Sequence, residues 1–154
     1  MKNIQKIADD IFKAPSSDEL LQRWLEDNAT KNEDGTYSSF NQTVDITEIV
    51  KHIIKDGKLM IKFKRVAGNF DCVDTGLTTL EGCPEYIGGW FDCSKNKLTS
   101  LKGFPKYIAG DVWTWPNKRY FKEEEIRSIC KVIGNVHAHP RLEFYDSICK
   151  QLGT

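Results

Sequence analysis

The chain has 154 residues, 40% apolar and 29% charged, with 22 basic and 22 acidic side chains and therefore no formal net charge. That length fits one domain able to bury a core. The charge balance excludes a bulk field drawing the molecule to nucleic acid or to an anionic membrane, and no apolar run reaches the ~20 residues of a membrane span. Five cysteines without a CxxC pair, and a polar stretch from Met1 to Lys6 in place of a signal-peptide core, are read as reduced thiols in a cytoplasm.

In chain order, Ile4, Ile7, Ala8, Ile11 and Phe12 recur at helical spacing and predict a helix over residues 3–14, ended by Pro15. Ser16 to Glu19 reads as a capping box. It opens a second helix that buries Leu20, Leu21, Trp24 and Leu25 and stops near Asn28. Residues 28–36 are polar, with Asp34-Gly35 as a turn signal, and predict a loop. Tyr37 to Ile46 reads as extended, with Val44-Asp45-Ile46 pointing in, out and in. Glu48 to Lys55 predicts a short helix burying Ile49, Val50, Ile53 and Ile54, closed by Gly57.

From Gly68 to Asn117 the chain repeats itself at 21 residues. Gly68-Asn-Phe-Asp-Cys72 falls on Gly89-Trp-Phe-Asp-Cys93, Leu77 on Leu98, Leu80 on Leu101, Pro84 on Pro105, Ile87 on Ile108 and Asn96 on Asn117. Leu59 and Val66 stand one period before Leu80 and Ile87, so a degenerate opening rung starts near Val44. After Asn117 the pattern lapses, because Arg119 and Lys122 stand where leucines are expected. A helix is predicted over Lys122–Ile133, with Ile126, Ile129, Cys130 and Ile133 on one face and Gly134 at its end. Another is predicted from roughly Arg141 to Leu152, burying Phe144, Tyr145, Ile148, Cys149 and Leu152.

The register Phe91-x-Cys93-x-x-Asn96-x-Leu98-x-x-Leu101 fits the leucine-rich-repeat formula. Phe91 and Cys93 alternate into the core from a short strand. Asn96 can satisfy backbone groups of the turn and the neighbouring coil. Leu98 and Leu101 fill the core from the return segment, Gly103 and Pro105 keep that return extended, and Gly88-Gly89 lets the chain bend back. The expected fold is α+β: a single domain 1–154 built as a short leucine-rich-repeat-like solenoid of three or four rungs on one parallel sheet. Residues 1–32 form an N-terminal helical cap, 37–117 the rungs and 118–154 a C-terminal helical cap.

The run from Leu77 through Leu80, Pro84, Ile87, Phe91, Cys93 and Asn96, continued by Leu98, Leu101, Pro105 and Ile108, resembles repeats of the form LTSLxGCPxYVGGDFxCSxN. Such repeats occur in leucine-rich-repeat-like proteins encoded by tailed bacteriophages, and the similarity covers about residues 33–117. It implies a fold and a phage origin. Those proteins share no assigned activity, so it supplies no catalytic residues. Trp90 stands where that group often has Asp, and the last rung reads Val112-Trp-Thr-Trp-Pro-Asn117.

Period two places Asp45, Asp71, Asp92 and Trp113 between the core positions, facing solvent. Thr43, Asn69, Trp90 and Asp111 flank them on one side, and Thr47, Val73, Ser94 and Trp115 on the other. The face is an acidic ladder ending in tryptophans, with Asp71, Asp92, Trp90, Asn69, Asp111, Trp113 and Trp115 as the candidate protein-binding residues. No catalytic, metal or cofactor site is expected. His137-Ala-His139 reads as a polar loop before Pro140 rather than a metal site, and Cys130 and Cys149 as packed thiols. The expected function is a phage accessory protein of the host bacterial cytoplasm, an interaction module that binds and modulates a host or phage protein bearing a basic patch. Nucleic acid and membrane are not expected partners. The alternatives are an enzyme or nucleic-acid-directed factor sited around Cys130, His137 and His139, and a self-assembling structural subunit.

Overall fold

A computed structural model describes residues 15–46 and 50–138. The helices predicted over 3–14 and from Arg141 to Leu152 lie outside them, as do Ile49, His139 and Cys149. The described chain opens with helix α1 (Ser17–Asn28). Its capping box forms as expected: the Ser16 hydroxyl accepts the Glu19 N–H at 3.3 Å and the Glu19 carboxylate accepts the Ser16 N–H at 2.7 Å. Leu25 is buried, Leu21 and Trp24 pack on the core, and the Trp24 ring meets Phe63 edge-on at 6.4 Å.

The polar stretch expected as a loop is a hairpin, with β1 (Thr30–Lys31) antiparallel to β2 (Tyr37–Ser39). Asp34 closes it by accepting the Thr36 N–H at 3.1 Å and the Thr36 hydroxyl at 2.5 Å. That hydroxyl, and then Lys64 at 2.9 Å, hold the Asp34 carboxyl well below the usual range.

From β2 the chain winds as a solenoid. Its elements are β3 (Thr43–Asp45), α2 (Val50–Ile53), β4 (Ile54–Lys55), β5 (Lys58–Leu59), β6 (Phe63–Val66), β7 (Asn69–Asp71), β8 (Tyr86–Ile87), β9 (Phe91–Asp92), β10 (Tyr107–Ile108), β11 (Val112–Trp113), α3 (Glu123–Ile129), β12 (Lys131–Val132) and β13 (Val136–His137). Strands β2, β6, β8, β10 and β12 lie side by side and parallel in a first sheet, which β1 extends; β3, β7, β9, β11 and β13 form a second parallel sheet.

Each winding therefore feeds two sheets, not the one expected. Tyr86-Ile87 and Tyr107-Ile108, which belong to the return expected to be extended, form strands of only two positions. Directly after them the backbone also pairs rung to rung, as in Gly88 N–H to Val66 O at 2.9 Å and Ala109 N–H to Ile87 O at 3.0 Å. Among the described residues five strand pairs make about four windings.

The end of the chain also departs from expectation. The helix predicted over Lys122–Ile133 spans only Glu123–Ile129, and Ile129 and Ile133 are exposed. The chain then re-enters both sheets, pairing Val132 with Ile108 and Val136 with Val112. That rung is 24 residues long instead of 21, because α3 replaces the coiled return and buries Ile126 beside Phe121. In the opening rung, α2 is four residues long and Asp56-Gly57 is the turn of the β4–β5 hairpin. Both turn residues have positive φ, +51° and +74°, the backbone that favours Asp-Gly between two-residue hairpin arms.

The core is a set of columns. Val66, Ile87, Ile108 and Val132 point in from the first sheet, and Val44, Phe70, Phe91 and Val112 from the second; Leu77, Leu80 and Leu98 close it from the coiled side. Asn96, 7% exposed, spans rungs as expected. Its carbonyl accepts the Thr75 N–H, the Thr75 hydroxyl and the Leu77 N–H, and its amide donates to the carbonyls of Cys72, Cys93 and Ser94.

Gly88-Gly89 sits at the corner between the two sheets, and what it supplies is room. A Cβ on Gly88 would lie 2.0 Å from the Ala67 carbonyl oxygen of the previous rung, and one on Gly89 would lie 2.0 Å from the Asn69 side-chain oxygen. Gly88→Ala must push two rungs apart and is expected to cost about 3 kcal/mol, the upper end for overpacking. Gly76→Ala has open space, and only its positive φ of +77° opposes it; about 1–2 kcal/mol is expected. Urea unfolding of the two variants checks the order, which reverses if backbone conformation governs the corner.

Candidate functional site

The solvent face of the second sheet carries three rows of side chains. Register sets the middle row: Asp45, Asp71, Asp92, Trp113 and then His137, each beside the next. Adjacent strands stand ~4.8 Å apart. His137, expected from sequence in a polar loop, lies in β13 and continues this row. The sequence signal for it is Ile108-Ala-Gly-Asp-Val112 against Val132-Ile-Gly-Asn-Val136, displaced by the longer period of the last rung.

The carboxylates are partly committed to the fold. Asp71 accepts the Val73 N–H at 3.0 Å and Asp92 accepts the Ser94 N–H at 2.8 Å, so each turns the chain out of its own strand. Burial pushes the Asp71 carboxyl above its ordinary value, and the neighbouring charges of Asp45 and Asp92 add to this against the Val73 bond. Folding therefore favours the protonated form. The Asp71 contribution to stability is fully present below the ordinary aspartate value of 3.8 and is lost as pH rises through the raised one. Asp71→Asn keeps an acceptor for Val73 and removes a like charge. It is expected to gain about 0.2–1 kcal/mol at pH 7, a gain that disappears in acid. Thermal melts at both pH values check it, and a loss of stability at pH 7 would contradict it.

The second row stitches rungs together. Asn69 donates to the Thr43 hydroxyl at 3.2 Å and accepts the Trp90 N–H at 2.9 Å; Asp111 accepts the Asn135 N–H at 2.8 Å. Trp90 occupies the same row but has no acceptor to offer the following rung. Its indole instead meets the Trp113 ring edge-on at 6.0 Å. Trp113 stacks on the His137 ring at 4.7 Å and 10° between planes, and His137 Nε2 lies 3.1 Å from Asp111. The Asn135 N–H first, and then His137, hold the Asp111 carboxyl below its ordinary value. That contribution to stability is present above the ordinary value and is lost as pH falls through the lowered one.

Trp90, Trp113, His137 and Asp111 thus form one cluster, with Trp90 and Trp113 half-buried. Trp115 follows in the third row, level with Val73 and Ser94, and is 39% exposed. Among the described residues β3, β7, β9, β11 and β13 contain no Lys or Arg, so the whole face is acidic and aromatic.

Of the alternative centre around Cys130, His137 and His139, the described residues include Cys130 and His137. Cys130 is buried, and burial pushes its thiol up to about 11, the wrong direction for a nucleophile at neutral pH. Cys72, Cys83 and Cys93 are free and buried, and burial likewise raises the thiols of Cys72 and Cys93. Among the described residues no Ser, Thr or Cys side chain hydrogen-bonds to His137, no group of His, Cys, Asp and Glu is arranged to hold a metal ion, and no helix is long and apolar enough to cross a membrane. Comparison with protein-family models, curated proteins and solved structures finds no match to this chain.

Proposed function

We propose that the chain is a protein-binding module and that the exposed face of its second sheet is the binding surface. The observation that carries this reading is the cluster of Trp90, Trp113 and His137 at the end of the Asp45–Asp71–Asp92 row. Rigid indoles offer large contact area at low entropic cost, and the carboxylates select a basic patch on the partner. The solenoid is proposed to be a variant of the leucine-rich-repeat design with helices capping both ends, on the strength of the Asn96 and Leu98–Leu101 register. The repeats, read with their resemblance to phage-encoded chains, support a phage accessory protein that binds and modulates a bacterial host or phage protein in the host cytoplasm. Affinity purification of the tagged chain from infected bacteria, followed by rebinding of purified components, tests this. A specific partner whose affinity falls as salt rises is expected; recovery of no specific protein contradicts the reading.

A further inference from the structure

The first sheet has an exposed row of its own. Register places Ser38, Arg65, Tyr86, Tyr107 and Lys131 side by side. The Arg65 guanidinium lies 4.2 Å from the centre of the Tyr86 ring, and Tyr86 stacks on Tyr107 at 4.7 Å and 3° between planes. The ring faces are thus turned toward one another along the sheet. Both faces of Tyr86 and one of Tyr107 are spent inside the molecule and do not serve as platforms on which bases stack, as a single-strand nucleic-acid surface requires. What the row offers outward is two phenol edges between two cations.

In the row beside it, Lys64 pairs with Asp34 at 2.9 Å and Lys106 with Glu85 at 2.7 Å, both exposed. Lys64, Arg65, Lys106 and Lys131 outnumber Asp34 and Glu85, so this face is basic. An open groove of about 790 Å³ runs along one end of it, between Asp34, Ser38, Arg65 and Tyr86. The zero net charge of the chain therefore conceals a separation: one sheet is acidic and aromatic, the other basic and aromatic.

We propose that a second copy of this chain docks on the first sheet, laying its acidic second-sheet face against the Arg65–Tyr86–Tyr107–Lys131 row. Charge complementarity is one support. Commensurate spacing is the other: both rows are built by the same stacked rungs, so donors and acceptors recur at the same ~4.8 Å. One oxygen each of Asp71 and Asp92 is held by a turn, and the second is available to a guanidinium or a phenol hydroxyl. The contact joins unlike faces, so it is head to tail and propagates from copy to copy. It rests on the proposed binding face of the second sheet and assigns that face a self-partner.

The test is sedimentation of the full chain over a concentration series with two exposed-face variants. Arg65→Glu with Lys131→Glu blocks the first sheet; Asp71→Asn with Asp92→Asn blocks the second while keeping its turn bonds. The wild-type mass is expected to grow with concentration at low salt, and to revert to monomer near 1 M salt, where the Debye length is ~3 Å. Each variant alone is expected to associate at least tenfold more weakly. Mixed, they are expected to form a species of twice the monomer mass and nothing larger, since each retains the face that the other lacks. A wild type that stays monomeric at every soluble concentration, or a mixture that stays monomeric, overturns the proposal. If the wild type is monomeric while the Asp71/Asp92 variant loses a host protein that the wild type captures, self-docking falls and the binding function of the second sheet stands.

Discussion

Replacing Asn96 with alanine is expected to destabilise the protein by about 3–5 kcal/mol, a large part of the margin of a domain this size. The side chain is buried, yet it accepts from two backbone N–H groups and one hydroxyl and donates to three carbonyls across two rungs. Alanine leaves the Thr75 and Leu77 N–H groups without their acceptor and the Ser94 carbonyl without its donor, whereas the Cys72 and Cys93 carbonyls keep the Thr75 hydroxyl and the Asn117 amide. Each orphaned group costs about 1–3 kcal/mol, reduced by whatever relaxation the turn permits. Asn96→Asp keeps the acceptor, loses the donor and buries a charge, so it rescues little. Asn117→Ala, which repeats the motif one rung on with three such bonds and more exposure, is expected to cost less. Chemical unfolding of the three variants measures this. Equal and small losses for Asn96→Ala and Asn117→Ala would show that the solenoid is held by its apolar columns alone.

Trp113→Ala is expected to weaken partner binding by about 2–4 kcal/mol, or roughly 30- to 1,000-fold, as a central aromatic anchor does. The fold is expected to lose far less. Trp113 stands half-exposed between Trp90 and His137, and such ring pairs are worth about 0.5–1.5 kcal/mol each. The split between binding and stability is the informative readout. Asp111→Ala offers a second one: it frees His137 and orphans the Asn135 N–H, so it loosens the cluster without removing an indole. A milder binding loss is expected, measured by titration against the captured partner.

Much of this architecture is legible in the amino-acid sequence. The 21-residue offset marks Phe70, Phe91, Cys72, Cys93, Leu77 and Leu98 as core, and the alternation around them places Asp71 and Asp92 on one exposed face. Asn96 is readable because an amide between strand and return has an evident task. What sequence hides has physical causes. In the first sheet β8, β10 and β12 are two-residue strands, too short to show a period of their own, so Tyr86 and Tyr107 look like residues of a return although they recur at 21. Arg65 and Lys131 complete their row only through register, since the residue type changes along it. The last rung is obscured because α3 lengthens it to 24 residues, and His137 is obscured with it. The two exposed faces also differ in how sequence shows them. The acidic one recurs as identical aspartates, whereas the basic one changes side chain at each step.

The most direct measurement of the central claim is partner capture from infected bacteria by four forms of the chain: wild type, Asp71→Lys with Asp92→Lys, Trp90→Ala with Trp113→Ala, and Arg65→Glu with Lys131→Glu. If the second sheet is the binding surface, the wild type and the first-sheet variant retain the same partner, while the two second-sheet variants lose it although each still unfolds in one cooperative transition, lowered by the lost turn bonds or ring contacts. Equal capture by all four forms would contradict the account.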